Sequence, residues 1–138
     1  DGRFKFNIKE DVPGLDFITA LKPVTYNFDT QKFDEHLQQN YTEEMKKDMA
    51  EKTNYADSKA IVHSGFIAQE IERICQELGY DFDGLHVPDP NNPTDNYSVA
   101  YSQFIMPLVK AVQEQQATIE ELEKQINELR SLILERIH

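Results

Sequence analysis

The sequence predicts an α+β fold, in which a small mixed globular head of short strands and helices is followed by one long C-terminal helix. Apolar residues recur every seven positions over residues 105–136. Short runs rich in β-branched and aromatic residues occur earlier in the chain, and glycine or proline separates them. The 138 residues leave room for one head, predicted at 1–101, and for a helix at 102–138.

The first predicted elements are a strand, a short helix and a second strand. Polar and apolar residues alternate over 3–8, which predicts a strand whose inward side chains are Phe4, Phe6 and Ile8. After a Pro-Gly pair, apolar spacing over 15–21 predicts a short helix that ends before Pro23. Residues 24–28 are rich in strand-forming types and predict the second strand.

Residues 29–59 are polar and charged, and they predict an excursion from the head built as a helical hairpin. Thr42 is a suitable residue to begin a helix. The apolar pairs at helical spacing are Phe33 with Leu37 and Met45 with Met49.

The second half of the head alternates strand, helix and loop. Residues 60–67 are apolar on both faces, which predicts a buried strand. A helix is predicted at 69–78, with Gly79 closing it and Cys75 serving as a small core residue on its apolar face. Three prolines over 88–93 predict a stiff loop that leads to the long helix.

The heptad repeat of the long helix predicts a coiled-coil seam. Its first position holds Ile105, Val112, Ile119, Ile126 and Ile133, and its second holds Leu108, Gln115, Leu122, Leu129 and Arg136. A 3.5-residue spacing keeps one stripe facing a partner helix, and about 54 Å of rod is too long for the remaining chain to cover. Isoleucine followed by leucine favours two strands. The alternative is one amphipathic helix docked on its own head.

Composition excludes several classes of function. A formal net charge of −11 argues against binding to nucleic acid or to acidic membranes, because both need clustered lysine and arginine. A single cysteine excludes an internal disulfide. We expect no cofactor and no metal site, because phosphate loops and paired metal ligands are absent and the four histidines are scattered.

Three blocks of the sequence resemble the C-terminal intramolecular chaperone of bacteriophage endosialidase tailspikes, the peptidase S74 family. Residues 1–8 resemble its opening Ser-Asp-x-Arg-x-Lys-x-x-Ile pattern, without the serine. Residues 63–70 resemble its central His-x-Gly-Phe-x-Ala-Gln-Glu block, and residues 101–114 resemble its closing Tyr-x-x-Leu segment and helix. The blocks stand in the expected order, and nothing in the family aligns with 29–59.

The resemblance implies a homotrimer attached to the end of a tailspike, a tail fibre or a similar surface protein. Such a domain holds three chains in register while the upstream stalk folds, and then cuts itself off. Its partners would be copies of itself and that stalk, either in the host cytoplasm during virion assembly or in a bacterial surface-protein precursor. This trimer conflicts with the two-strand preference of the seam, and we follow the family because the head can also set the stoichiometry.

In this family cleavage uses a Ser-Lys dyad and occurs beside the serine. The chain starts at the Asp that would follow that serine, which leads us to expect release just before Asp1. Lys5 would be the general base, a role that needs a neutral amine and therefore burial at a subunit interface. Asp1 and Arg3 flank the cut. The accessory candidates are His63, Gly65 and Gln69.

Alternatives remain for each of these assignments. The alternative for Lys5 is a surface residue at the tail of a strand, and an equally good interpretation of His63 is a core histidine with satisfied hydrogen bonds. The domain as a whole reads as a self-processing peptidase that acts once per chain, or as an uncleaved homo-oligomerisation module of a surface protein. Because the serine is missing from the sequence, we expect no activity from this chain alone.

Overall fold

The computed structural model describes residues 1–50 and 54–138, and it is a mixed helical and sheet fold that ends in a long helix. In chain order the elements are a 3-10 turn at Gly2–Phe4, α1 (Leu15–Ala20), β1 (Val24–Asn27), α2 (Thr30–Leu37), α3 (Glu43–Ala50), α4 (Tyr55–Ala60), β2 (Val62–Gly65), α5 (Ala68–Leu78), β3 (Leu85–His86), β4 (Ser98–Val99), a 3-10 turn at Tyr101–Phe104 and α6 (Ile105–Ile137).

These elements belong to two compact units. Unit 1 consists of Asp1–Ala20, Ile74–Gly84 and Ala100–His138. Unit 2 consists of Leu21–Arg73 and Leu85–Val99. Each unit is therefore assembled from stretches that are distant in the sequence.

The predicted strand at 3–8 is wrong. Gly2–Phe4 form a 3-10 turn, and no regular element follows until α1 begins at Leu15. The three side chains predicted to face inward are all strongly exposed: Phe4, Phe6 and Ile8. A strand needs a hydrogen-bonding neighbour, and no described strand pairs with this segment. Asn7, at φ 54°, also interrupts an extended backbone. We call residues 1–13 the N-terminal arm.

In unit 2, β1 and β2 form a two-stranded antiparallel sheet, with Val24 opposite Gly65 and Asn27 opposite Val62. Both strands are therefore confirmed near their predicted positions. The predicted burial of the second one is wrong, because the side chains of Ile61, Val62 and Ile67 are exposed. A two-stranded sheet leaves more of its surface open than the central strand of a larger sheet does.

The polar stretch at 29–59 forms helices, as predicted, except that residues 51–53 lie outside the described part of the chain. Helix α2 packs on α4, where the Tyr55 hydroxyl donates to Asp34 at 3.0 Å. Asp29 caps α2 and forms an ion pair with Lys59 at 2.9 Å. Hydrogen bonds from the Lys59 ammonium and the Lys32 amide lower the pKa of Asp29. Polar contacts thus connect α2 and α4, neither of which contains a buried residue.

Helix α5 ends as its sequence predicts. Gly79 adopts φ 61°, and the next amide, that of Tyr80, donates to the carbonyl of Cys75 at 2.9 Å. This is the hydrogen bond of a glycine-terminated helix. Cys75 is buried, as predicted, and burial raises the pKa of its thiol.

The proline-rich segment of unit 2 forms a loop between the paired strands β3 and β4. Asp95 holds the loop together, because its carboxylate accepts the Asp89 amide at 2.8 Å and lies 2.9 Å from Nε2 of His86. These hydrogen bonds lower the pKa of Asp95, and the one from the Asp89 amide has the largest effect.

The core of unit 1 is a cluster of four aromatic rings. Phe17 of α1 is completely buried, with ring centroids 5.1 Å from Tyr80, 5.1 Å from Phe82 and 6.0 Å from Phe104. The rings of Phe82 and Phe104 also meet, at 4.7 Å. The cluster joins α1 and the segment after α5 to the start of α6.

Candidate functional site

The first turns of α6 bury one face within their own chain. Phe104, Pro107 and Ala111 are buried, and their spacing of three and four residues places them on one side of the helix. Proline is tolerated here because it lies in the first turn of α6. Helix α1 packs against α6. We call the side that carries Phe104, Pro107, Ala111 and Glu114 the docked face.

Gly14, just before α1, and Glu114 of α6 form a close contact between the start of α1 and the long helix. A Cβ atom on Gly14 would lie 2.9 Å from the backbone nitrogen of Ala111, so only glycine allows this approach. The Glu114 carboxylate accepts the Leu15 amide at 2.8 Å, which satisfies a free N–H group at the start of α1. The contact fixes the end of the arm against the long helix.

Gly14→Ala is expected to destabilise unit 1 by about 1–3 kcal/mol, because the new methyl group forces the α6 backbone or the Glu114 side chain to move. The measurement is the free energy of unfolding in urea. Gly2→Ala is the matched control, since a Cβ there meets nothing within 4 Å. Equal stability of Gly14→Ala and the parent would contradict the tight contact.

The predicted seam lies on a different side of α6, and its large apolar side chains are exposed. Between 46% and 61% of each of these residues is accessible: Ile105, Leu108, Val112, Ile119, Leu122, Ile126, Leu129 and Ile133. The remaining seam residues, Gln115 and Arg136, are also exposed. No described part of the chain covers this stripe, so the reading of α6 as a helix docked along its own head fails for the seam.

The predicted cleavage residues lie in the N-terminal arm. The Asp1 carboxylate accepts the backbone amide of Arg3 at 3.0 Å and also its guanidinium group, and Arg3 remains largely exposed. Lys5 is exposed, its amide donates to the Gly2 carbonyl at 3.2 Å, and its amine forms no ion pair with the described residues. Asp1 and Arg3 are thus brought together, while Lys5 faces solvent in a single chain.

The accessory candidates belong to unit 2. His63 stands opposite Tyr26 in the β1–β2 ladder, and their rings stack with centroids 5.6 Å apart. His63 is exposed, so its reading as a core histidine is wrong. Gly65 is buried at the end of β2, and Gln69 is exposed in the first turn of α5.

The docked face is the functional feature that sequence reasoning missed. Its signal was present, since Pro107, Ala111 and Glu114 recur at helical spacing beside the seam. The small Ala111 marks a close helix contact only once its counterpart, Gly14, is known. That counterpart lies about a hundred residues earlier, which periodicity within α6 does not reveal.

Two tyrosines have a raised pKa. In Tyr80 the larger cause is burial and the smaller is the nearby Asp83 carboxylate. In unit 2 the Tyr97 hydroxyl donates to Glu72 at 2.7 Å, which raises the pKa of Tyr97.

Among residues 1–50 and 54–138 no three histidine, cysteine or acidic side chains lie close enough together to hold a metal ion. The same part of the chain has no helix long and apolar enough to span a bilayer.

Comparison with known proteins gives one match. Residues 1–80, more than half of the 138, match the peptidase S74 family, described as chaperone of endosialidase. No curated protein and no solved structure matched the chain.

Proposed function

Because the chain belongs to the peptidase S74 family, the chaperone of endosialidase, we propose that it is the C-terminal intramolecular chaperone of a phage tailspike, tail fibre or similar surface protein. It trimerises through α6, holds three upstream stalks in register and is released by cleavage just before Asp1. The exposed seam of α6 is the observation that most strongly supports association between copies, and the choice of three strands follows the resemblance to the family.

The seam has a clear thermodynamic reason to associate. Full burial of a valine, leucine or isoleucine is worth about 1.5–3 kcal/mol, so burying the exposed half of each seam residue contributes roughly 1 kcal/mol. Eight such residues lie along one stripe in every copy. Gln115 interrupts the stripe, and polar residues at seam positions fix the register of the helices at some cost in stability. The seam therefore supplies both affinity and alignment.

An upstream stalk in which β-strands of three chains wind around one another needs its chains aligned before it folds. Its strands contact residues far away in sequence or on other chains, so unassisted folding is slow and exposes edges that aggregate. Joining three C-termini through a helical rod raises the local concentration of the chains. Residues 102–138 are proposed to be this rod and residues 1–101 to be its head.

Lys5 is proposed to act as the general base for release, with Asp1 and Arg3 flanking the cut. His63, Gly65 and Gln69 are proposed accessory residues. The side chain of Lys5 is exposed in one chain. A general base needs a neutral amine, and we propose that an adjacent copy covers Lys5 in the assembled trimer and supplies the burial that favours this form. Cleavage would then follow assembly, so only registered stalks would lose their chaperone.

Lys5→Met in a protein that includes the upstream stalk is expected to slow release by about 100-fold or more, the usual contribution of a general base. Mass spectrometry of the purified protein measures the released fraction, and light scattering reports whether the trimer is kept. Lys9→Met is the matched control, because it removes the same charge from another exposed arm residue.

Release of Lys5→Met at the parent rate would remove Lys5 from the mechanism. If the unsubstituted protein with its upstream stalk stays intact, and no serine is encoded before Asp1, the result supports the alternative function of an uncleaved homo-oligomerisation module. That alternative also predicts that removing residues 1–138 after the stalk has folded loosens the assembly, whereas a chaperone is dispensable by then.

A further inference from the structure

Helix α6 has a third apolar surface beyond the docked face and the seam. Successive residues turn by about 100° around an α-helix, which places Met106 and Val109 roughly 100° from the centre of the seam, on the side away from the docked face. Met106 is 57% exposed and Val109 is 48% exposed. We call this stripe the lateral face, and it continues through Gln113, Gln116, Glu120 and Glu123.

The N-terminal arm has side chains that match this stripe. Phe4, Phe6 and Ile8 are 73–84% exposed, which is costly for three large apolar residues within five positions. Basic residues alternate with them: Arg3, Lys5 and Lys9. The lateral face is apolar near its start, where Met106 and Val109 lie, so large apolar side chains are exposed on both surfaces.

The geometry of a parallel coiled coil decides which copy the arm reaches. The positions that flank the seam on one side of a helix lie beside those that flank it on the other side of the next helix. Val109 flanks the seam on the lateral side and Ala111 flanks it on the docked side. The lateral face of one copy therefore lies beside the docked face of its neighbour, where the neighbour's α1 and arm are attached.

We propose that the N-terminal arm of each copy packs across the lateral face of α6 in the adjacent copy, with Phe4, Phe6 and Ile8 covering Met106 and Val109. This rests on the proposed parallel trimer and identifies a second contact between its subunits. The arm is long enough, since 13 residues span up to about 40 Å while packed helix axes lie about 10 Å apart. Gly14, held against Ala111, is the fixed point from which the arm departs.

Mixed-chain disulfide trapping tests the contact. One chain carries Phe6→Cys and a size tag, the other carries Val109→Cys, and Cys75 is replaced by alanine in both. The chains are co-expressed in full length and oxidised mildly. We expect a covalent species whose mass is the sum of the two chains, because a disulfide forms only when Cα atoms approach within about 7 Å. In the control pair Lys110→Cys replaces Val109→Cys, and we expect at least tenfold slower trapping because residue 110 projects about 100° further round the helix.

Two results would overturn the inference. One is trimers that yield no mixed-chain species above the control. The other is a chain carrying both cysteines that closes a disulfide only within itself, which would place the arm on its own helix. Light scattering on the same samples separates this failure from that of the proposed function. A trimer without the adduct refutes only the arm contact, whereas a 16.0 kDa particle refutes the trimer as well.

Discussion

Ile126→Asp is expected to dissociate the proposed trimer into 16.0 kDa monomers at micromolar concentration. Ile126 lies at the middle of the exposed seam, with 48% of its surface accessible in one chain. The substitution removes roughly 1 kcal/mol of burial on association from each copy, about 3 kcal/mol over three copies, and brings three carboxylates together at the helix contact. The lost burial alone weakens association by about 100-fold, and the three carboxylates weaken it further. Sedimentation velocity or light scattering measures the mass.

Asn127→Asp is the matched control, because it introduces the same residue and the same change in charge one position further along α6. Asn127 is exposed and lies off the seam. We expect this variant to keep the parent mass. If Ile126→Asp also keeps the parent mass, or if the parent is itself a monomer with its seam exposed, the seam does not hold the subunits together.

Phe17→Ala is expected to destabilise unit 1 by about 3–5 kcal/mol, the range found when a buried phenylalanine is truncated. Its ring is completely buried and contacts three other rings, so the cavity would open at the centre of the cluster. The measurement is the free energy of unfolding from urea titration, followed by the near-ultraviolet signal of the tyrosines. We also expect weaker assembly, because the base of α6 loses its support.

Two comparison variants sharpen this test. Phe17→Leu keeps much of the apolar volume, so we expect a smaller loss of stability than with alanine. Phe28→Ala removes a ring that is 40% exposed and meets Phe33 alone among the described aromatic pairs, and we expect an effect below that of Phe17→Ala. Equal stability losses at positions 17 and 28 would contradict the central role of the cluster.

Elements whose signals are local could be predicted from the sequence. The long helix could be predicted from the spacing of its own apolar residues. The end of α5 could be predicted from Gly79, because glycine readily adopts the positive φ found there. Thr42 directly precedes α3, and its hydroxyl oxygen lies 3.4 Å from the Met45 amide. In each case the decisive residues lie within one or two helical turns of one another.

Elements that depend on a distant partner could not be predicted from the sequence. The alternation over residues 3–8 is compatible with a strand, but a ladder needs a neighbour that the pattern does not contain. Apolar spacing found α1 through Leu15 and Ile18, yet it missed Phe17, whose ring contacts come from residues 80, 82 and 104. The hydrogen bond from Leu15 to Glu114 spans 99 positions. The catalytic role of Lys5 stays a prediction, since it concerns an assembled state.

The composition of the aromatic cluster sets an order of events during synthesis. Phe17 leaves the ribosome before its stacking partner Phe104, and Gly14 leaves it before the Ala111 surface that receives it. Unit 1 therefore cannot close until residues 104–111 have been made. A product terminated before them would lack both the closed unit and α6, so it could not associate with other copies through the seam.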